Sequence, residues 1–334
     1  MRNRKIVVFL LSVLILSVLL IGCTKANENA PKDTPDQTQT PEPVQDSATE
    51  PEDTSIKVTD MTGREIILEE PATRIVALTP SDCEILYAIG AEEMLAGRGE
   101  YCNYPPEVLD VPVVQSGANT NLEQIIGLKP QVLLMSTMDQ TEEQAEALEA
   151  AGIKVVVTDA NDIEGVYTSI SLIGALMDRE AEAEDVIAYM KKTFAEVSTK
   201  TKVFKDKTVY FEVSPLEYGL WTAGNGTFMN EIAEMIGLKN CFADITGWGE
   251  ISEEQVLGRN PDYIVTIAMY FGEGPKPEEE IMSRKGWKNV TAVKNGAILN
   301  LQNDELSRPT PRLADGARIL FDFVNSAALQ DEST

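Results

Sequence analysis

Short apolar runs alternate with helical patterns along most of this chain. The apolar runs of strand length cover residues 74–78, 132–135 and 153–157, and later 208–213, 263–267 and 297–301. Segments with helical start and stop signals separate them, at residues 79–89, 141–151, 227–236, 252–257 and 312–324. This alternation predicts two parallel sheets, each with helices on both faces. Before them, Ile56 to Leu68 alternates around Met61-Thr62-Gly63 and predicts a β-hairpin.

A longer helical segment separates the two halves. Residues 179–203 contain no proline and no glycine. Apolar residues recur there at steps of three and four positions, namely Ala183, Val186, Ile187, Met190, Phe194 and Val197. A helix of about 22 residues is about 33 Å long, enough to run across two lobes. The pattern predicts a stiff connection with small closure motions, and the alternative is an ordinary surface helix within one lobe.

The first 22 residues have the pattern of an export signal. Arg2, Arg4 and Lys5 form a basic start, and the apolar run that follows is slightly short for a stable membrane span. The run ends in Leu20-Ile21-Gly22-Cys23, which resembles the lipobox of bacterial lipoproteins. That resemblance implies cleavage before Cys23 and acylation of this cysteine, for example with palmitate. The alternative is an uncleaved anchor helix, and in both cases we expect the protein at the extracytoplasmic face of the cell membrane.

The segment that follows has the composition of a tether. Residues 24–55 contain five prolines, eight acidic residues and no aromatic residue. Such a segment cannot bury enough apolar surface to offset the entropy of ordering. We therefore expect residues 23–55 to form a lipidated, disordered tether, followed by a lobe over 56–178, a connecting helix over 179–203 and a second lobe over 204–329.

Charge and residue counts exclude several classes of function. The chain has 54 acidic and 28 basic residues, a net charge of −26, which would repel a nucleic-acid backbone. It contains no histidine, which removes histidine-based catalysis and imidazole-ligated metal sites. Cys83, Cys102 and Cys241 are widely spaced, and fit neither a disulfide framework nor a paired-cysteine metal site. We expect small buried thiols with at most one bridge, and no cofactor.

From Thr59 onwards the chain resembles the class III solute-binding proteins of ABC importers. The segments that carry the resemblance are Val58-Thr59-Asp60 with Gly63-Arg64, RIVALTPSDCEILYAIGA (74–91), NYPPEV (103–108), NLEQIIGLKP (121–130), ISEEQVLGRNPDYIV (251–265) and SRPTPR (307–312). The resemblance covers roughly residues 56–327. It implies an α/β fold of two Rossmann-like lobes joined by a single long helix, with a ligand cleft between the lobes. It also implies a protein that binds its ligand without changing it, and we expect a monomer.

Two glutamates within these motifs match docking residues of the family. In family members, a glutamate on each lobe forms an ion pair with arginine pockets of the permease dimer. The matching residues are Glu123 in NLEQI and Glu254 in SEEQV, with Glu253 as a neighbour that does not match. One charge on each lobe suits recognition by a two-fold symmetric partner. The resemblance therefore implies an ABC permease dimer in the same membrane as the partner.

The cleft motifs are most similar to those of the cobalamin-binding branch. Tyr101 and Tyr104 stand in YCNYPP, which matches the tyrosine-bearing loop of that branch, and Trp248 matches its cleft tryptophan. Asp304 and Arg308 match an Asp-x-x-x-Arg pair at the rim of the cleft. The chain departs from the branch at Gly117 and Ser136, where the branch has aromatic residues. Trp221 and Tyr270 are further candidates for aromatic walls, whereas Trp287 is expected to be structural.

The chemistry of these residues suits a corrinoid. A corrin ring is a large disc with apolar faces and a rim of amides, so it needs flat aromatic walls and a few hydrogen-bonding groups. The resemblance thus implies a lipid-anchored protein that captures a cobalamin-like corrinoid. A ferric siderophore or haem is the alternative, although an anionic siderophore would need several convergent arginines, and the negative body opposes it. Haem would need a tyrosine or methionine ligand.

An enzyme on a two-lobed scaffold is the distant alternative. Metal-cluster enzymes and nucleotide-dependent oxidoreductases use similar lobes. No GxGxxG motif follows a strand here, and neither GxxxxGK[ST] nor GxSxG occurs in the sequence. The isolated cysteines cannot hold an iron–sulfur cluster. The sequence therefore favours a binding protein.

Overall fold

The computed structural model describes residues 55–138, 140–199, 204, 206–302 and 304–331. The predicted signal peptide, Cys23 and the tether up to residue 54 lie outside these residues. Within the described part of the chain, no helix combines the length and the hydrophobicity that a membrane span requires.

The predicted hairpin is confirmed. Strands β1 (Ile56–Thr59) and β2 (Glu65–Leu68) pair in antiparallel register. The Asp60 carboxylate organises the turn, because Oδ1 accepts the Thr62 N–H at 3.0 Å and the Thr62 hydroxyl at 2.7 Å. Gly63 closes the turn at a φ of +87°, which glycine adopts without strain. The Met61 N–H donates to the Val157 carbonyl at 3.1 Å and so ties the hairpin to the first lobe.

The first lobe is built on a five-stranded parallel sheet in the order β5-β4-β3-β6-β7. Its strands are β3 (Ile75–Ala77), β4 (Leu95–Gly99), β5 (Val113–Val114), β6 (Val132–Met135) and β7 (Lys154–Val157). The helices around it are α1 (Pro80–Ala88), α2 (Leu122–Leu128), α3 (Glu142–Ala150) and α4 (Ile163–Leu176). The predicted strands and helices of this half are present, and the sequence patterns missed β4, β5, α2 and α4.

The second lobe contains a four-stranded parallel sheet in the order β10-β8-β12-β13. Its strands are β8 (Thr208–Glu212), β10 (Lys239–Asn240), β12 (Tyr263–Thr266) and β13 (Ile298–Asn300), and β9 (Trp221–Ala223) pairs separately with β11 (Trp248–Glu250). The helices are α6 (Phe228–Met235), α7 (Glu253–Arg259), α8 (Pro277–Ser283), α9 (Thr291–Lys294) and α10 (Leu313–Asp331). The predicted elements are again present, and α10 extends further than the sequence pattern indicated.

Helix α5 (Glu180–Ser198) stands between the two sheets in the sequence. It packs against α4 of the first lobe and α10 of the second. The predicted apolar stripe is its inner face, since Ala183, Met190, Phe194 and Val197 are buried. Nineteen helical residues span about 28 Å. The fold is therefore the expected α/β fold, while the exact lobe boundaries stay a prediction because residues 200–203 lie outside the described residues.

The same structural unit occurs once in each lobe. Residues 121–135 and 252–266 each form a capped seven-residue helix, a left-handed residue at the helix end, a buried proline and an interior strand of the sheet. The residue before the strand also plays one role in both. Gln131 Oε1 accepts the Arg74 N–H at 3.0 Å at the start of β3, and Asp262 Oδ2 accepts the Thr208 N–H at 2.8 Å at the start of β8. The two lobes are thus built on the same local plan.

Candidate ligand-binding site

A cavity of about 470 Å³ lies between the two lobes. The first lobe contributes residues that follow each of its five parallel strands, β3 to β7. The second lobe contributes the start of α6, the start of β11 and residues 307–309. In open parallel sheets the carboxyl ends of the strands leave a crevice where ligands bind. The position of this cavity therefore makes it the candidate ligand cleft.

The first-lobe wall of the cleft is rich in hydroxyl groups. The serine and threonine residues of this wall are Thr79, Ser81, Ser116, Ser136, Thr137 and Thr158. The Thr137 N–H donates to Asp159 Oδ1 at 3.1 Å, and its hydroxyl also donates to that carboxylate. Hydroxyl groups both donate and accept hydrogen bonds. This wall can therefore match the amides of a ligand.

Asp82 is a buried carboxyl group directly beneath this wall. It accepts hydrogen bonds from the Thr158 hydroxyl at 2.6 Å and the Thr79 hydroxyl at 2.5 Å. Burial raises the pKa of Asp82 from its usual 3.8 to about 7, against the effect of the two hydroxyl hydrogen bonds, and the Asp159 charge adds to the rise. The floor of the cleft consequently carries less negative charge at neutral pH than its composition indicates.

The second-lobe wall is aromatic. The Trp248 ring packs edge-on against Phe228, with the ring centroids 5.4 Å apart. Trp248 lies opposite Ala223 in the β9–β11 pair, and Trp221 is two positions from Ala223. Because cross-strand partners and alternate residues share a face of the sheet, Trp221 lies on the same face as Trp248. Trp221 is 41% exposed and is not one of the described residues that line the cavity.

The two candidate tyrosines lie in different cavities. Gly99 lets their loop begin close to β3, since a Cβ there would lie 2.1 Å from the Leu78 carbonyl oxygen. Tyr101 lines the cleft and is 71% exposed. Tyr104 lines an adjacent cavity of about 530 Å³, where its ring lies 3.9 Å from the Arg312 guanidinium carbon. Tyr101 is thus presented to the cleft, whereas Tyr104 stacks on an arginine.

Arg308 lines the cleft within a network of ion pairs. Its Nη1 lies 2.9 Å from Glu84 Oε1 and 2.8 Å from Asn103 Oδ1, and its Nη2 lies 2.8 Å from Asp304 Oδ2. Asp304 also accepts from the Ser307 hydroxyl at 2.7 Å. Asp304 itself lines the adjacent cavity. The structure therefore brings Tyr101, Trp248 and Arg308 together in one cleft, and places Asp304 behind Arg308.

The largest of the three neighbouring cavities does not bridge the lobes. It has a volume of about 790 Å³, and its lining residues all belong to the second lobe. Tyr270 lines this cavity and the 530 Å³ cavity, not the cleft. Trp287 is fully buried and donates from Nε1 to Glu253 at 2.7 Å, so its expected structural role is consistent with its position. Among the described residues, no cluster of acidic or cysteine side chains could hold a metal ion.

Glu123 and Glu254 are exposed at equivalent positions of the two lobes. Each is the second residue of its helix. The side chain of Asn121 caps the first helix, and the side chain of Ser252 caps the second. Hydrogen bonds from its own backbone N–H and from Ser252 lower the pKa of Glu254, so it is charged at neutral pH. The neighbouring Glu253 is engaged with Trp287 instead.

Three residues that line or support the cleft were not singled out from the sequence. Phe228 supports Trp248, Asp82 supports Thr158, and Glu84 pairs with Arg308. Asp82 and Glu84 stand inside a segment that carries the family resemblance, but only their buried positions distinguish them from the many surface acids. A buried acid with an arginine partner is recognisable only when both lobes are in place.

The two lobes, the cleft between their sheets and the helix that packs on both define a two-lobed solute-binding protein. Residues 75–305 match the family described as Periplasmic binding protein, and the chain belongs to this family. The protein is a substrate-binding protein of an ABC importer. Its relatives are solute-binding proteins and not enzymes.

Three relatives illustrate the range of the family. An uncharacterized ABC transporter substrate-binding lipoprotein, YvrC of Bacillus subtilis, is 33% identical over 80% of this chain and 85% of its own length. The vitamin B12-binding protein of Salmonella typhi is 29% identical over 76% of this chain and 91% of its own. A solved structure from Staphylococcus epidermidis, described as a possible iron-binding periplasmic solute-binding protein, has 32% identity and a TM-score of 0.64, covering 76% of this chain and 99% of its own.

Proposed function

We propose that this protein captures a corrinoid between its lobes and delivers it to the permease of an ABC importer. The observation that carries the proposal is the pairing of an aromatic wall, Trp248 on Phe228, with a hydroxyl-rich wall around Ser136 and Thr158. An aromatic wall suits the apolar face of a corrin ring, and hydroxyl groups suit its amide rim.

The replacements at Gly117 and Ser136 are consistent with this division of the cleft. Where the cobalamin-binding branch has aromatic residues on the first lobe, Ser136 supplies a hydroxyl group, and Gly117 supplies no side chain. Tyr101 is then the aromatic residue of that lobe that contacts the ligand. The vitamin B12-binding relatives support the assignment at the level of the family.

Delivery requires a partner in the membrane. We infer that Glu123 and Glu254 dock on the two halves of a permease dimer, since both are exposed, charged and equivalently placed on the two lobes. We further infer that Cys23 carries acyl chains, which hold the protein close to that permease. The lipoprotein relative from Bacillus subtilis supports the anchor.

A ferric siderophore is the second candidate. The iron-binding description of the Staphylococcus epidermidis relative favours it, together with the position of Arg308 in the cleft. The ion pairs of Arg308 argue against a siderophore, because the Glu84 and Asp304 carboxylates already compensate the charge of Arg308.

Calorimetric titration of the purified protein tests the proposal directly. The protein would be titrated with cyanocobalamin, cobinamide, haem, a ferric hydroxamate and a ferric catecholate. We expect saturable one-to-one binding of a corrinoid, and weaker or undetectable binding of the iron complexes. Saturable binding of an iron complex, with no heat from either corrinoid, would overturn the corrinoid assignment and leave the importer assignment in place.

A further inference from the structure

Four charged side chains meet where the two lobes face each other. They are Glu84, Asp304, Arg308 and Arg312, which we call the inter-lobe charge cluster. Glu84 comes from α1 of the first lobe, and the other three come from residues 304–312 of the second lobe. The Glu84 side chain is 2% exposed, and the other three are each 12% exposed. The formal charges of the cluster sum to zero.

Glu84 pairs with both arginines at once. Arg312 donates to Glu84 Oε2 from Nε and to Oε1 from Nη2, both at 2.8 Å, and Arg308 donates to Oε1 at 2.9 Å. Asp304 is four residues from Arg308 on the same lobe and therefore moves with it. Glu84 belongs to the opposite lobe, so its pairing depends on the lobes facing each other. Without Glu84 the second lobe would present a net charge of +1 at this point.

We propose that Glu84 sets the charge preference of the cleft, by compensating Arg308 and Arg312 so that the cleft selects an uncharged ligand surface. This charge preference rests on the proposed ligand capture, and it specifies which ligands the cleft admits. An anionic chelate that pairs with Arg308, the arginine that lines the cleft, would have to displace the Glu84 carboxylate from it. In a poorly solvated site, a charge left without its partner is strongly unfavourable. An uncharged rim can accept hydrogen bonds from Arg308 while the cluster stays intact.

Glu84→Gln tests the proposal, because it retains the shape of the side chain and removes its charge. The experiment would measure the affinities of the parent and the variant for uncharged cyanocobalamin and for a trianionic ferric catecholate. Affinity of the variant for the catecholate should rise about tenfold or more, as expected for a gained charge-assisted hydrogen bond. The gain should shrink at high salt. Affinity for cyanocobalamin should not rise.

Glu212→Gln is the matched control. Glu212 pairs with Arg284 at 2.6 and 2.9 Å, and both side chains are as buried as Glu84, but this pair lies within the second lobe and away from the cleft. It should leave the ratio of the two affinities unchanged. An equal rise in catecholate affinity in both variants would show a general effect of charge, and would overturn the role of Glu84.

A double variant separates the charge of Glu84 from its structural contribution. Glu84→Gln combined with Arg312→Gln restores a neutral cluster, so it should return catecholate affinity to the parent value. If the melting curve of Glu84→Gln shows that this single variant does not fold, the double variant provides the test instead. Catecholate binding by the folded double variant, above the parent value, would contradict the proposal.

The outcomes distinguish this proposal from the proposed function. A parent that binds no corrinoid would overturn the proposed function, while the change in catecholate affinity between parent and Glu84→Gln would still report on Glu84. A parent that binds cyanocobalamin, with a Glu84→Gln variant that gains no affinity for the catecholate, would overturn the charge preference alone.

Discussion

Trp248 is held in place before any ligand arrives. Its ring rests edge-on against Phe228, and the pairing of β11 with β9 fixes its backbone. An aromatic side chain that is already ordered loses little entropy on binding. Phe228 is itself buried at the start of α6, where its N–H donates to the Asn161 carbonyl of the first lobe at 2.9 Å. The aromatic wall is therefore positioned by both lobes.

Trp248→Ala should weaken corrinoid binding by about 2–4 kcal/mol, since it removes an ordered aromatic anchor from the cleft. Titration calorimetry measures the loss, and corrinoid addition should quench part of the tryptophan fluorescence of the parent. Tyr218→Ala is the control, because Tyr218 is an exposed aromatic residue outside the cleft. A Trp248→Ala protein with parental affinity and a normal melting curve would contradict the assignment.

Asp82 should make the stability of the protein depend on pH. Its pKa is raised to about 7 in the folded state by burial, from 3.8. Between these values the folded state binds one more proton than the unfolded state, so stability should fall as the pH rises from about 4 to about 7. The fall is up to about 1.4 kcal/mol per pH unit, and no further change from this group follows above pH 7.

Asp82→Asn should remove that dependence while leaving the amide able to bond Thr158. Urea unfolding at pH 5, 6 and 7 measures the slope in parent and variant. Asp244→Asn is the control, since Asp244 is exposed and paired with Arg259, which lowers its pKa. Equal slopes in the parent and Asp82→Asn proteins would show that Asp82 does not titrate in this range.

At the scale of elements, α2 and α7 present Glu123 and Glu254 in the same way. Each helix is seven residues long, begins after a side-chain cap and leads through a buried proline into an interior strand of its sheet. Ile125 and Val256 are the buried residues that fix the two helices on their lobes. The distance between the two glutamates therefore depends on how the two lobes are arranged relative to each other.

Glu123→Ala and Glu254→Ala should each weaken permease docking by about 2–5 kcal/mol, as for the loss of one partner of a buried charged pair at an interface. Ligand affinity should change by less than about threefold, because both residues are on the surface. Ligand uptake in cells and ligand titration measure the two effects separately.

Glu146→Ala on α3 is the matched control for docking, since it removes an equally exposed charge from the first lobe. It should leave uptake unchanged. Parental uptake by the Glu123→Ala and Glu254→Ala double variant would rule out the docking assignment.

At the scale of the whole molecule, the lobes are joined by more than the chain. Helix α5 packs on both lobes, and the buried apolar cluster that includes Val166 and Phe194 continues to Phe228 and Leu320. The Ile163 N–H also donates to Glu231 Oε2 at 2.8 Å across the lobes. These contacts resist a wide hinge motion.

Ligand binding should therefore change the overall dimensions only slightly. We expect the radius of gyration, measured by small-angle X-ray scattering, to change by less than about 1 Å between the free and the corrinoid-bound protein, because shear between packed helices gives small displacements. A decrease of several ångströms would show a hinge that these contacts do not allow. The Glu84→Gln protein without ligand serves as the comparison in which one inter-lobe charge is removed.

The sequence by itself determined the class of fold and most of its elements. Alternating strands and capped helices follow from local patterns, so β3, α1, β6, α3 and β7 agree closely with the prediction. Helix α4 was missed because its sequence lacks a polar stripe that would mark it as amphipathic. The structure explains this, since nine of its fourteen residues are buried. Strand β4 was missed because its sequence, LAGRG, contains two glycines.

The tertiary structure alone decided how the candidate residues are grouped. The sequence named Tyr101, Trp248 and Arg308, but not that Tyr104 stacks on Arg312 or that Asp304 lies behind Arg308. Glu84 and Arg308 are 224 positions apart, and a local pattern carries no information about such a contact. Burial and pairing between lobes are properties of the assembled fold, because they depend on which surfaces exclude water together. For that reason the charge of the cleft could be read only from the structure.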